Sequence, residues 1–300
     1  MEEVYSILSE PVRSLVTESP ESGKIEEIRL RIHAPLELIT SGGVVYPLDR
    51  AGRMHEVSEK DIEYTFYQLS EFSLYAIQDK LREGYVTTKG GHRVGVSGQV
   101  VKDGSGVLTV KHISSLNIRV AKDTSVVPLS FLRRLFINEY CSVLVIGPPQ
   151  SGKTTFIREL AKHISSGTIS EFLPSKKVGV IDERSEIAAS YRGIPSFNVG
   201  PRTDVLDNCP KAEGIMMSIR SMSPEFIIVD EIGRAEDAKA IMDAVLAGVH
   251  VICTAHGRTL EVVRKRPALQ ELFLQDIFQK FIILDDNKAG RLLGKEKNGG

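Results

Sequence analysis

One glycine-rich loop constrains this chain more than any other feature of its sequence. The loop, Gly147-Pro148-Pro149-Gln150-Ser151-Gly152-Lys153-Thr154, fits the pattern G-x-x-x-x-G-K-[ST], and Thr155 follows it. It comes directly after the apolar run Ser142–Ile146, which is typical of a strand buried on both faces. Because glycines allow backbone N–H groups to point at phosphate oxygens, the loop predicts a phosphate-binding site. Apolar residues then recur at helical spacing, at Phe156, Leu160 and Ile164.

The pattern also predicts roles for single side chains. Lys153 is expected to reach the β- and γ-phosphates of a nucleotide, and the Thr154 hydroxyl is expected to ligate Mg²⁺. The helix that begins near Lys153 adds the positive end of its dipole. A nucleoside triphosphate with Mg²⁺ is therefore the expected ligand.

Carboxylates follow another apolar run, Phe226–Val229, as Asp230 and Glu231. In a parallel sheet, ligands bind beyond the carboxyl ends of the strands, where the glycine-rich loop also lies. Asp230 is therefore predicted to hold Mg²⁺, directly or through water. Glu231 is predicted to polarise the water that attacks the γ-phosphate.

Two further strand ends carry candidate catalytic residues. Val178–Ile181 is followed by Asp182 and Glu183, whose carboxylates are candidates to position the water or the metal. The alternative for this segment is a surface ion pair between Asp182 and Arg184. His256 ends another apolar run and is a candidate sensor of the γ-phosphate, or else a packed polar side chain.

Apolar runs alternate with helical segments from about residue 123 onwards, which predicts an α/β domain with a mainly parallel sheet covered on both sides. The earlier part reads as mixed α+β. We expect an α+β N-terminal domain at 1–122, an α/β nucleotide domain at 123–286 and a flexible C-terminal tail at 287–300. The runs that predict strands in the second domain, besides Ser142–Ile146, are Val178–Ile181, Phe226–Val229, Val249–Cys253 and Phe281–Leu284, and Ala235–Ala247 predicts a helix.

The first domain contains local signals for both kinds of element. Ile25–Leu30 and Leu36–Ile39 predict short strands, and Ser58-Glu59-Lys60-Asp61 is a capping box that opens a helix. Arg93–Gln99 and Val107–His112 predict a hairpin. A second amphipathic helix is predicted to carry Leu74, Ile77 and Leu81.

Composition excludes several classes of protein. The 38 Lys and Arg residues balance 39 Asp and Glu residues, which excludes a wholly basic nucleic-acid coat. Cys141, Cys209 and Cys253 are too few and too scattered for a disulfide framework or a zinc site. The N-terminus is acidic and no apolar run approaches the roughly 18 residues needed to span a bilayer, so we expect a cytoplasmic protein.

Four elements in this order resemble the nucleotide core of the secretion ATPases, the ring motors of type II and type IV secretion and of pilus retraction. They are the glycine-rich loop, the acidic box Asp182-Glu183, the strand ending in Asp230-Glu231, and Thr254-Ala255-His256. The resemblance covers about residues 125–285. It implies a RecA-like P-loop ATPase core and a homo-hexameric ring.

This sequence departs from those motors at three places. Asp182 stands where they usually carry the longer Glu, which puts its reach to the water in doubt. Gly233 intervenes before Arg234, where an arginine is common. The tetracysteine zinc insertion of some type II members is absent, so no structural zinc is expected.

A closer resemblance covers nearly the whole chain. Glu27–Arg31 (EIRLR), Gly91–Gly98 (GHRVGVSG) and Asp182–Ile187 (DERSEI) are similar to segments of the stage III AA family of sporulation proteins. That resemblance implies an ATPase that powers assembly of, or transport through, a channel between mother cell and forespore. It also implies membrane-protein partners, so we expect the chain to lie at the membrane through a partner, on the mother-cell side.

In the related motors, arginines of the N-terminal domain close over the nucleotide. By position, Arg93 and Arg119 are the expected equivalents, followed by Arg29 and Arg31. The alternative is that Arg93, in an alternating run, faces solvent. Arg220, which precedes the strand ending in Asp230, is a further candidate for a contact between subunits.

Two other functions remain open at this point. A nucleic-acid translocase shares this type of core, and Arg264-Lys265-Arg266 is a short basic cluster, although such a run is usually a solvated face. No stable nucleic-acid partner is expected. The second alternative is a nucleotide-binding switch or scaffold with little turnover.

Overall fold

The computed structural model describes residues 1–70, 81–82, 84–104, 106–121, 127–285 and 290–294. The chain divides into two compact units, Met1–Lys122 and Asp123–Gly300. The predicted helix around Leu74 and Ile77 lies outside the described residues. Within the described ranges, no helix is both long enough and apolar enough to cross a membrane.

The first unit is built on a six-stranded antiparallel sheet. Its strands are β1 (Ile25–Arg31), β2 (Glu37–Thr40), β3 (Gly43–Val45), β4 (Tyr85–Thr87), β5 (Arg93–Asp103) and β6 (Gly106–Arg119). They lie in the order β3-β2-β1-β6-β5-β4, so the predicted hairpin is confirmed as the long β5–β6 pair. Alternate residues are buried, among them Ile28, Val94 and Ile118, so the sheet has one core face and one outer face.

Helices supply the other half of this core. They are α1 (Glu2–Ile7), α2 (Glu10–Glu18) and α3 (Glu59–Leu69), whose apolar residues pack with the core face of the sheet. The predicted capping box is confirmed, since Ser58 Oγ accepts from Asp61 N–H and Ser58 N–H donates to Asp61 Oδ2. Ser9 Oγ also donates to Asp61 Oδ1 over 2.5 Å. Although burial opposes it, hydrogen bonds from Ser9 and Ser58 lower the pKa of Asp61.

The second unit contains a seven-stranded sheet in which parallel pairing dominates. Its strands are β7 (Val143–Gly147), β8 (Val178–Asp182), β9 (Thr203–Asp207), β10 (Phe226–Val229), β11 (His250–His256), β12 (Lys280–Leu284) and β13 (Gly290–Gly294). They lie in the order β13-β12-β7-β11-β10-β8-β9, and β13 alone pairs antiparallel. The strand before the glycine-rich loop therefore lies in the sheet interior, between β12 and β11.

Both faces of this sheet are covered. The helices of the unit are α4 (Leu129–Leu135), α5 (Lys153–Ser166), α6 (Lys211–Ser221), α7 (Ala235–Leu246), α8 (Leu260–Arg264) and α9 (Gln270–Leu274). On β7, Val143 and Val145 pack into one apolar cluster, with residues of α4 and α5. Leu144 and Ile146 pack into another, with residues of α6 and α7. Burial on both faces explains why β7, β8, β10 and β12 read as continuous apolar runs.

The C-terminal segment differs from the expected flexible tail. Gly290–Gly294 form strand β13, which pairs with β12 from Lys280↔Gly294 to Leu284↔Gly290. Leu292 and Leu293 are partly buried and pack against the two apolar clusters, which is the physical reason that this segment is ordered as a strand. Strand β9 and helix α6 are further elements that the sequence patterns do not predict.

Candidate functional site

The glycine-rich loop connects the end of β7 to the start of α5. A Cβ atom on Gly147 would overlap Ser151 Oγ and lie 3.0 Å from the Leu284 carbonyl oxygen, so a larger residue there would displace Ser151 within the loop. Gln150 and Gly152 both have positive φ, 64° and 89°, which produces the tight turn. Ser151 Oγ is buried and has no hydrogen-bond partner among the described residues. An unpaired polar atom inside a loop of this shape fits a site for an anionic ligand.

Lys153 is held against the loop that it follows. Its Nζ donates to the carbonyl oxygens of Gly147 (3.0 Å) and Pro148 (2.7 Å), and the side chain is buried. Burial lowers the pKa of Lys153, and the charges of Asp230 and Glu231 oppose that shift. The Lys153 ammonium therefore lies at the loop, where phosphate oxygens can replace the two carbonyl oxygens as its acceptors.

The carboxylate predicted to hold Mg²⁺ lies beside the loop threonine. Thr154 Oγ1 donates to Asp230 Oδ2 over 2.5 Å. Thr254 Oγ1, from the neighbouring strand β11, donates to Asp230 Oδ1. Hydroxyl and carboxylate oxygens are the ligands that Mg²⁺ prefers, so the donor set at Thr154 and Asp230 fits this ion.

Glu231 directly follows Asp230 and has an unusual backbone. Its φ is 54°, in the left-handed region, and its N–H donates to Thr254 Oγ1 over 2.7 Å. One carboxylate oxygen, Oε2, accepts from Arg184 Nη1 at 2.9 Å. The other, Oε1, lies 3.1 Å from His256 Nε2. Thr254 therefore holds the backbone of Glu231, and two basic side chains hold its carboxylate.

His256 lies between the lysine and the glutamate. Its Nδ1 is 3.2 Å from Lys153 Nζ, and the residue pairs with Gly147 across β11 and β7. Because an ammonium can only donate, we assign Nδ1 as the acceptor and Nε2–H as the donor to Glu231. Arg266 fixes the backbone, since its Nη2 donates to the His256 carbonyl over 2.5 Å.

These residues line one cleft of about 410 Å³. The loop and the acidic strand end face each other across it, with Glu186 at the side. The structure thus brings together the predicted residues of the loop, Asp230, Glu231 and His256.

Asp182 has the contacts of a loop anchor. It is 2% exposed, and it accepts from the backbone N–H groups of Glu186, Ile187 and Ala188 at 2.8–3.0 Å. Burial raises the pKa of Asp182 to about 6, although these hydrogen bonds oppose the shift. A carboxylate with three N–H donors in a buried position has little capacity to hold a water molecule.

The neighbours of Asp182 are also paired, but differently from the alternative reading of the sequence. Arg184 binds Glu231 and not Asp182, so the alternative of an Asp182–Arg184 ion pair is wrong. Glu183 forms an ion pair with Lys211, at the start of α6. The segment after β8 is therefore fixed to two other parts of the unit, the residue pair that follows β10 and the start of α6.

Several residues at the site are not predicted by the sequence patterns. Arg158, on α5, is buried and donates to the carbonyl oxygens of Glu186 (3.4 Å) and Ile187 (3.1 Å). Thr254 holds both acidic residues, as described above. The family resemblance includes Thr254 without a role, and strand register points to its role, because Val229 pairs with Cys253 and the next residues of both strands are therefore adjacent. The full set is Arg158, Arg184, Glu186, Lys211, Thr254 and Arg266.

The predicted arginines of the N-terminal domain lie on the outer face of the first sheet. Arg93 and Arg119 are directly opposite each other across β5 and β6. The Arg93 guanidinium lies 3.5 Å from the centre of the Tyr85 ring, and Arg119 Nε is 3.3 Å from Glu27 Oε1. The other two form ion pairs within the same sheet, Arg29 with Glu27 and Arg31 with Glu37.

Arg220 does not belong to the described site, and the basic cluster contributes to it only through Arg266. Arg220 is exposed in the last turn of α6, whereas Lys211, at the first turn, faces the acidic segment. Arg264 lies over the rings of Phe273 and Phe281, 5.7 and 5.8 Å from their centres. Since Arg266 is bound to the His256 carbonyl, two members of the cluster have contacts inside the unit. Arg264 and Lys265 are exposed, as a solvated face requires, whereas Arg266 is half-buried and bound inside the unit.

Comparison with known proteins gives consistent results. The family model described as "Sporulation stage III, protein AA" matches residues 1–300. Stage III sporulation protein AA from Bacillus subtilis (strain 168) is 45% identical over 291 residues, which cover 96% of this chain and 92% of that protein.

Solved structures share the fold at low sequence identity. The pilus retraction motor PilT with bound ADP has a TM-score of 0.63 and 17% identity, and the match covers 96% of this chain and 83% of that one. The ATPase DotB from Legionella pneumophila has a TM-score of 0.56 and 16% identity, with 91% and 78% covered. The predicted fold class, a RecA-like α/β core preceded by a smaller α+β part, is confirmed.

Proposed function

This chain belongs to the Sporulation stage III, protein AA family, and we propose that it is a secretion-type ATPase that acts in sporulation. It binds ATP with Mg²⁺ in the cleft at the glycine-rich loop and hydrolyses the bond that joins the terminal phosphate to ADP. Hydrolysis powers assembly of, or transport through, a membrane-spanning channel, as the family resemblance implies.

One contact carries this proposal. Thr154 and Asp230 are 76 residues apart in the sequence, yet their side chains meet over 2.5 Å. A glycine-rich loop alone indicates phosphate binding, and an acidic strand end alone indicates little. Their direct contact provides adjacent hydroxyl and carboxylate oxygens beside a buried lysine, which is the combination that a nucleoside triphosphate with Mg²⁺ requires.

Lys153 binds the phosphates by exchange. Its protons now go to the carbonyl oxygens of Gly147 and Pro148, and phosphate oxygens replace these neutral acceptors when ATP enters. A charge-assisted hydrogen bond to phosphate is stronger than one to a neutral carbonyl, so the exchange is favourable. The N-terminus of α5 adds backbone N–H donors at the same point.

Glu231 activates the attacking water. Its carboxylate accepts a proton from the water while the water oxygen bonds to the γ-phosphorus and the bond to the β,γ-bridging oxygen breaks. Thr154 and Asp230 would hold Mg²⁺, which when bound neutralises charge on the phosphate oxygens. His256 couples Lys153 to Glu231, because its ring contacts both side chains. A shift of the Lys153 ammonium therefore changes the position of the Glu231 carboxylate.

We assign the acidic box a positioning role instead of the predicted catalytic one. Asp182 holds the segment that carries Arg184 and Glu186, and Glu183 holds Lys211. Neither carboxylate is required to touch water in this mechanism. The assignment of Arg93 and Arg119 as residues that act on the nucleotide stays a prediction.

The ring and the membrane partner also stay predictions from the family resemblance. A hexamer should form when a non-hydrolysable ATP analogue is present, and sedimentation velocity measures this directly. A strict monomer at high protein concentration would contradict it. Capture from sporulating cells with Glu231→Gln, which holds ATP without hydrolysis, should retain the membrane partners.

The test of the proposed activity is ATP turnover by Lys153→Ala against a matched control. Lys162→Ala removes a lysine from the same helix, where it pairs with Glu159 on a partly exposed face. We expect Lys153→Ala to lose turnover and Lys162→Ala to keep it. Undiminished hydrolysis by Lys153→Ala would refute the mechanism.

The same assay distinguishes the other functions. Stimulation of turnover by single-stranded DNA or RNA that falls steeply with salt would indicate a translocase. Tight ATP binding with negligible turnover, even with membrane partners present, would indicate a switch or scaffold.

A further inference from the structure

Arg184 holds the residue proposed to activate water. Its guanidinium Nη1 is 2.9 Å from Glu231 Oε2, and the two side chains are 55% and 38% exposed. Because His256 contacts the other oxygen, both oxygens of the carboxylate are engaged by basic side chains. A carboxylate engaged in this way cannot accept a proton from water efficiently.

The backbone of Arg184 is fixed on both sides. Glu183, before it, is paired with Lys211, and Ser185, after it, donates from Oγ to Asp207 Oδ1 over 2.5 Å. Asp182 accepts from the backbone N–H groups just beyond Ser185. The long side chain of Arg184 therefore projects from a fixed point, and its guanidinium can change partners without a movement of the loop.

The position of Arg184 offers a second partner. Arg184 lines a small cavity whose other walls include Glu186, Asp230 and Glu231. The same three acidic residues line the cleft of the glycine-rich loop, so the two spaces adjoin. An anion that reaches Asp230 and Glu231 through the cleft therefore comes close to the guanidinium.

Chemistry favours an exchange when that anion is a phosphate. The pair with Glu231 is about half exposed, and exposed ion pairs are weak. A guanidinium binds phosphate oxygens through two parallel hydrogen bonds, which is stronger and more specific. The terminal phosphate of ATP carries the charge and the oxygens for this contact, whereas ADP lacks that group.

We propose that Arg184 is a phosphate-sensing switch: it pairs with Glu231 in the nucleotide-free chain and transfers to the γ-phosphate when ATP binds. The transfer frees Glu231 to accept the proton of the attacking water only when there is a phosphate to attack. This inference rests on the proposed function, because it uses the same cleft and the same base. It adds a residue that discriminates ATP from ADP.

The test compares equilibrium affinities for ATP and ADP, measured with Mg²⁺ by calorimetry, with a non-hydrolysable analogue in place of ATP because the active chain would hydrolyse ATP during the titration. Arg184→Ala should weaken ATP binding about tenfold and leave ADP binding unchanged. Arg184→Lys should restore part of the loss, because it keeps the charge but not the paired donors. Arg192→Ala removes another exposed arginine of the same β8–β9 connection and should change neither affinity.

A double-mutant cycle tests the competition itself. Glu231→Gln removes the charge that retains Arg184, so ATP should bind more tightly than to the wild type. That gain should disappear in the Arg184→Ala/Glu231→Gln double variant. If the gain persists without Arg184, or if Arg184→Ala weakens ATP and ADP equally, the switch is refuted.

Failure of this inference is distinct from failure of the proposed function. A wild-type chain that binds neither nucleotide would refute the ATPase itself. A wild-type chain that hydrolyses ATP, with an Arg184→Ala variant whose ratio of ATP to ADP affinity is unchanged, would refute only the switch. Arg184 would then be a permanent support for Glu231.

Discussion

The positions of Asp230 and Glu231 depend on Thr254. The Thr254 hydroxyl can be replaced by a methyl group without a change in the shape of the side chain. The side chain is fully buried. Its Oγ1 donates to Asp230 and accepts from the N–H of Glu231. Thr254→Val replaces the hydroxyl by a methyl group, so both hydrogen bonds are lost and the cavity stays filled.

The expected cost follows from these two bonds. A hydrogen bond to a charged group contributes about 1.5–3 kcal/mol, and a buried donor left without a partner costs about 1–3 kcal/mol. Since the carboxylate and the N–H are only partly buried, we expect Thr254→Val to lower the free energy of unfolding of the second unit by about 2–3 kcal/mol. Thr254→Ser keeps the hydroxyl and loses one methyl group, which costs about 1 kcal/mol.

The effect on turnover comes from the backbone of Glu231. A left-handed conformation at a residue other than glycine costs about 1–3 kcal/mol, and the hydrogen bond to Thr254 helps to hold it. Without that bond the backbone relaxes and the carboxylate leaves its position. We expect kcat of Thr254→Val to fall about tenfold, a change of about 1.4 kcal/mol, while ADP affinity changes little.

The assay combines urea unfolding with ATP turnover. The transition of the second unit is identified as the one whose midpoint rises when ADP is added. Thr254→Val should unfold at lower urea than Thr254→Ser, and only the valine variant should lose turnover. A valine variant as stable as the serine variant, with the kcat of the wild type, would refute this account of Thr254.

Two further predictions concern the anchor and the loop. The pKa of Asp182, raised to about 6, lies above the value of about 3.9 in an unfolded chain, so the folded state binds more protons between these values. Stability should therefore fall as pH rises through this window, by about 3 kcal/mol from this group, and Asp182→Asn should remove that dependence from the urea midpoint. Gly147→Ala should weaken ADP binding in calorimetry, because its Cβ would displace Ser151 Oγ within the loop, whereas Gly23→Ala, with open space around its Cβ, should bind normally.

The central strands of the second unit can be predicted from the sequence, because a strand buried on both faces is a continuous apolar run. Phe226–Val229 is apolar throughout and each of its residues is fully buried, so composition alone identifies the strand. Thr203–Asp207 lies at the sheet edge and is partly exposed, so polar residues flank its two apolar ones and it forms no continuous apolar run. Gly290–Gly294 is an edge strand too, which explains why it reads as a tail.

A residue of the site was predictable from the sequence when both its side-chain chemistry and its place at a strand end indicated the same role. A carboxylate that follows a buried strand of a parallel sheet lies at the edge where ligands bind. The apolar run Phe226–Val229 therefore suffices to place Asp230 at the site. The partners of Arg184 and Glu183 were not predictable, because Glu231 and Lys211 lie 47 and 28 residues away. Asp182 shows the same difficulty, since only the path of the following loop reveals that its carboxylate receives backbone N–H groups.

On the outer face of the first sheet, one carboxylate is shared by two arginines. Glu27 contacts two guanidinium groups, those of Arg29 and Arg119. If Arg119 swings away to meet an anion, Arg29 remains to neutralise the carboxylate. Moving Arg119 therefore does not leave Glu27 as an isolated negative charge, and the ion pair that breaks is a weak one because Arg119 is largely exposed.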